Sequence, residues 1–130
     1  MNYKGVIIAE SLADKSVLTG VKILSTNTEP VTKKHKTPWL AQWTLHAVEV
    51  QEDQADIIAQ KLSDSFELEH SAWYADFKND KAHYIIFPNK IFKIDLQNPL
   101  AYKDARQYGI SLGIPKYQVD FSPEDKKWDR

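Results

Sequence analysis

Between Tyr3 and Glu10 the chain reads YKGVIIAE, with the β-branched residues Val6, Ile7 and Ile8 in succession, before the polar run Asp14-Lys15-Ser16. Branched side chains suit a pleated surface, so a first strand is expected there. A second run, VLTGVKILS from Val17 to Ser25, sets Val21 and Ile23 on one side and Lys22 on the other, and is expected to pair with the first as a hairpin. The stretch TNTEPVTKKHKTP, Thr26 to Pro38, contains two prolines and no apolar period. It reads as a long loop, and loops of that length usually bind something or move.

After Pro38, WLAQWTLHAVEV alternates, with Trp43, Leu45 and Ala47 on one face and Gln42, Thr44 and His46 on the other, which predicts a strand with one buried face. The period then changes. Ala55, Ile58, Ala59, Leu62 and Phe66 share a helical stripe from Glu52 to Phe66, and acidic Glu52 and Asp53 suit its N-terminus. Further strands are expected near Trp73–Phe77, Ala82–Phe87 and Ile91–Leu96, separated by ND and PN turn signals. Asn98-Pro99 resembles an N-cap followed by proline. Ala101, Ala105, Tyr108 and Leu112 then mark a second helix ending near Gly109. YQVDF predicts a last short strand, and Ser122 to Asp125 has the form of a capping box that would let residues 122–130 dock as a tail through Trp128.

Hairpins connect most of these strands. The pattern is therefore α+β: an antiparallel-rich sheet of about five to six strands with two helices packed on one face, in a single domain spanning 1–130. Ile58, Leu62 and Phe66 are expected to meet Phe92 and Ile94.

The register of the hairpin around Asn79 decides which residues are left on the open face. A two-residue turn, Asn79-Asp80, sets Asp76 across from His83. A three-residue loop, Asn79-Asp80-Lys81, sets Asp76 across from Tyr84 and gathers Trp73, Ala75, Phe77, Ile85, Phe87, Phe92 and Ile94 as core. The second separates apolar from polar side chains better and is the reading adopted here, with His83 a structural histidine on the core face. Its open face carries Tyr74, Asp76, Tyr84, Ile86, Lys93 and Asp95, together with Gln42, Thr44, His46 and Val48. Two tyrosines, an isoleucine and a valine among charged groups suggest a half-wet groove or an interface between copies.

Composition narrows the chemistry. Seventeen Lys+Arg against 18 Asp+Glu give a formal charge of -1, so no whole-molecule field favours nucleic acid or anionic lipid. The absence of cysteine removes disulfides, thiolate nucleophiles and cysteine-held metals. The four histidines make no helical i,i+4 pair, and neither a metal nor a cofactor is expected. No apolar run approaches a membrane span, and the start of the chain lacks the h-region of a signal peptide, so a cytoplasmic location is expected. There is no phosphate-loop pattern and no nucleophilic-serine elbow.

The candidate ligand or partner contacts are Thr44, His46, Tyr74, Asp76, Tyr84 and Lys93. Lys33, Lys34, His35 and Lys36 form a candidate anion-binding loop. The reading adopted from sequence is a binding or assembly domain whose open sheet face takes a small molecule, a protein partner or a second copy of itself. The alternative is a small acid/base enzyme using His46 with Asp76 and Tyr84, since histidine transfers protons near neutrality and a carboxylate can fix its tautomer.

Overall fold

The structure, a computed structural model, describes residues 1–31, 40–69 and 73–114. Its main elements are β1 (Tyr3–Ile8), β2 (Lys22–Pro30), β3 (Gln42–Val50), α1 (Ala55–Ser65), β4 (Ala75–Lys78), β5 (Ala82–Phe87), β6 (Lys90–Asp95) and α2 (Tyr102–Ser111). The six strands form one sheet in the order β2-β3-β1-β4-β5-β6, and each neighbouring pair is antiparallel. The α+β class with an antiparallel sheet and two packed helices is therefore as the sequence implied. The expected strand at YQVDF, the tail 122–130 with Trp128, and the basic residues Lys33, Lys34, His35 and Lys36 all lie outside the described residues.

β1 does not pair with β2. It sits between β3 and β4, which consequently run parallel to each other, with α1 as the crossover between them. Val17 to Gly20, expected to open the second strand, belong instead to a 3-10 helix, Lys15–Gly20, whose Ser16 N–H donates to the Asp14 carboxylate at 2.9 Å. β2 instead begins at Lys22 and runs on to Pro30, through the stretch expected to be loop, and makes its hairpin with β3.

At Gly5 two backbones come unusually close. Gly5 is paired on one side with Val48 and on the other with Phe77. A Cβ built there would lie 1.8 Å from the Asp76 carbonyl oxygen and 2.6 Å from the Phe77 Cα. Only a residue without a side chain fits between β3 and β4 at this point.

The β4–β5 hairpin adopts neither register expected from the sequence. Lys78 pairs with His83, Phe77 with Tyr84, Asp76 with Ile85 and Ala75 with Ile86, leaving a four-residue connection from Asn79 to Ala82. The Asn79 side-chain oxygen accepts the N–H groups of Lys81 and Ala82 at 2.8 and 2.9 Å, and the Asn79 N–H donates to the Ala82 carbonyl at 3.0 Å. An Asx turn thus stretches the loop beyond what the ND signal alone suggests. The β5–β6 hairpin does follow its PN signal: Phe87 pairs with Lys90, and Asn89 takes a left-handed φ of 61°.

This register assigns the faces. One face carries Tyr3, Ile7, Val48, Val50, Ala75, Phe77, Tyr84 and Ile86, packed with Ala55, Ile58, Ala59 and Leu62 of α1. The other carries Tyr74, Ile85, Phe87, Ile94 and half-buried Phe92, packed with Tyr102, Ala105 and Tyr108 of α2 and with Ile114. The helices therefore take opposite faces of the sheet, where one shared face was expected. Phe92 and Ile94 belong to the α2 side, so they are not the partners of Leu62. The physical reason is that β4 and β5 are buried on both sides, so neither alternating set could be left to water. α2 ends in a left-handed residue, but that residue is Gly113, at φ 91°, while Gly109 is buried within the helix.

Candidate functional site

The expected open face does not exist as one surface. Tyr84, Ile86 and Val48 are buried under α1, and Tyr74 is buried on the α2 side against Phe87 at 6.1 Å between ring centroids. The Tyr84 hydroxyl donates to Asp56 of α1. Its pKa is pushed up by burial first and by the Asp56 carboxylate next, so it holds its proton. Lys93 lies over the Tyr84 ring, 5.2 Å from its centroid, and 4.0 Å from the Asp56 carboxylate. Thr44 is taken up by Glu10, whose carboxylate accepts the Thr44 N–H at 2.6 Å and its hydroxyl at 2.8 Å. His46 Nδ1 is 2.9 Å from the Thr26 hydroxyl on β2.

The trio His46, Asp76 and Tyr84 therefore does not converge. Asp76 and Tyr84 occupy opposite faces, and His46 lies three strands from Tyr84, about 14 Å at the usual strand spacing. Asp76 meets a different histidine. His83 Nε2 is 2.8 Å from the Asp76 carboxylate, and His83 Nδ1 is 2.7 Å from the hydroxyl of Tyr102 at the start of α2. Asp76, His83 and Tyr102 are 4%, 0% and 6% exposed. Burial, and then the positive charge of Lys78, push the His83 pKa down to about 3. Burial raises that of Tyr102 to about 12. The neutral forms fit the geometry: Tyr102 donates to Nδ1, and Nε2–H donates to the carboxylate. Three polar side chains thus satisfy one another between β4, β5 and α2 and pin the helix to the sheet. Sequence reasoning missed Tyr102 because the α2 stripe was set one residue early, at Ala101. The spacing Tyr102, Ala105, Gly109 carries the buried face and was available as a signal.

Among the described residues no group of three His, Asp or Glu could hold a metal ion, and no helix is long and apolar enough to cross a membrane. An open groove of about 440 Å³ lies between Asp80, Lys81, Ala82, Lys93, Asp95 and Gln97. Its two lysines are matched by two aspartates, so it has no net charge with which to select an ion.

Comparison with known proteins adds no function. A scan against family models found no match, and searches of curated proteins and of solved structures found none either.

What the fold leaves open is an edge. Among the described residues no strand pairs with the outer side of β2. All nine of its residues are exposed except half-buried Glu29, and Ile23 and Leu24 are 43% and 44% accessible. The backbone alternation can be read from one bond. The Val31 N–H donates to the Ala41 carbonyl at 3.0 Å, one step beyond the Pro30–Gln42 pair. Hydrogen-bonded pairs alternate along an antiparallel ladder. Asn27 and Glu29 therefore bond to β3, while Thr26, Thr28 and Pro30 turn their backbone groups outward. Thr44, opposite Thr28, agrees with this, since its N–H points away from β2 to Glu10.

Proposed function

We propose that this α+β domain is a protein-interaction module that takes up an extended polypeptide segment along β2. The observation that carries the reading is the outward row of backbone groups at Thr26 and Thr28 on a nine-residue edge strand. Such a row templates an added strand, the main chain giving affinity and the alternate side chains giving selectivity. The opposite edge, β6, is shorter and carries Lys90, Lys93 and Asp95 among its six residues, whereas Ile23 to Thr28 is an uncharged run. Charged edges repel added strands.

The acid/base alternative has less support. Among the described residues, the histidine joined to a carboxylate and a tyrosine is His83, which is fully buried, and a catalytic group must reach substrate.

Selecting displayed random peptides on the protein tests the reading, with the Thr28→Pro variant as counter-selection. Proline at 28 removes an outward N–H while sparing the ladder to β3. Peptides that bind the parent protein should lose at least about tenfold in affinity for the variant, the loss of roughly one well-made hydrogen bond. Failure to select binders, or binders that hold both proteins equally, would remove the proposal.

A further inference from the structure

The outward edge of β2 is complementary to itself. We propose that its occupant is a second copy of the chain, paired β2 to β2 in antiparallel fashion about a two-fold axis at Asn27; this rests on the strand-addition reading above.

The axis is fixed by which residues can bond. Of the outward set Thr26, Thr28 and Pro30, only the threonines have an N–H to offer. Centring the pair on Asn27 sets Thr26 of each copy across from Thr28 of the other, and each such pair exchanges two bonds. All four outward threonine N–H groups are then satisfied. A two-residue shift one way puts Pro30 across from Thr26 and loses a donor. A shift the other way sets Thr28 across from Leu24, where the ladder is already irregular between Ile23 and Ser25.

The side chains agree with this register. Glu29 of one copy faces Ser25 of the other, so no like charges meet. Ile23 and Leu24, the accessible apolar pair, run alongside Pro30 and Val31 of the second copy. Thr26 and Thr28 form cross-strand pairs of a favourable type. Asn27 meets its own counterpart in a non-hydrogen-bonded position, where side chains approach most closely, and an amide can both donate and accept. The product is a continuous sheet of two six-stranded halves, joined through an isologous contact that closes on itself.

Asn27 is exposed, so charged substitutions there leave the fold in place while acting across the axis. Sedimentation equilibrium over a concentration series should show the parent protein passing from monomer to dimer. Asn27→Lys and Asn27→Asp should each weaken association by at least about tenfold through like charges facing one another. An equal mixture of the two variants should regain the association of the parent. A parent protein that stays monomeric throughout, or variants that associate as the parent does, would overturn the pairing. The peptide selection against Thr28→Pro separates the two failures. Thr28-dependent peptide binding without self-association removes the second copy and keeps strand addition, whereas the loss of both removes both.

Discussion

Gly5→Ala is expected to prevent folding, or to cost on the order of 4–5 kcal/mol or more, a loss reserved for a few mechanisms. The added methyl would sit 1.8 Å from the carbonyl oxygen of Asp76. That neighbour is backbone within a ladder, so relief requires β1 to separate from β4 at the centre of the sheet. The displaced segment includes Asp76, which holds His83, so the damage would reach the α2 side as well. Chemical denaturation and circular dichroism check this. An alanine variant that folds with an unchanged midpoint would show that the close approach is not present.

His83→Leu is the second substitution with a large expected effect, about 3–5 kcal/mol, because it deprives a buried carboxylate of its imidazole donor and the Tyr102 hydroxyl of its acceptor. Replacing Asp76 by Val in the same chain should recover part of that loss, since removing both partners of a buried pair costs less than removing one. The same histidine gives the parent protein an acid limb. Its folded pKa is pushed from 6.5 down to about 3 by burial and then by the Lys78 charge. Between those values the unfolded chain binds a proton that the folded chain refuses. Stability contributed above 6.5 is therefore lost as the pH falls, by up to about 1.4 kcal/mol per unit. Denaturation midpoints measured across this window should fall with acid in the parent and less steeply in His83→Leu. Equal slopes would show that His83 does not govern the limb.

Strands with a strong apolar signal were legible in the sequence. Val6 to Ile8, the strand ending at Val50, the α1 stripe through Leu62 and the PN turn all stand where the residue pattern put them, although that strand also buries Val48 and Val50 on the face opposite Trp43. β2 was legible only over its start, Lys22 to Ser25, and for a physical reason. Hydrophobic periodicity reports a buried face, and an edge strand exposed on both sides has none, so Thr26 to Glu29 read as loop. The β4–β5 register failed differently. Apolar segregation favours the three-residue loop over the two-residue turn, but Tyr84, Ile85, Ile86 and Phe87 are all buried, so both faces are core and segregation cannot discriminate. The three-residue register separates Asp76 from His83 and merges parts of two core faces into one open surface. Thr44, Tyr84 and His46 meet Glu10, Asp56 and Thr26, which come from distant parts of the chain that no local spacing connects, and the same holds for Tyr102 on His83.

The free edge of β2 is tested most directly by amide hydrogen exchange resolved at single residues. In dilute solution the Thr26 and Thr28 amides should exchange nearly as fast as in an unfolded peptide, Asn27 and Glu29 between them should be protected by β3, and raising the protein concentration should slow the two threonines alone. Slow exchange of Thr26 and Thr28 in dilute solution would mean that the edge is already covered within the chain, and would contradict the account.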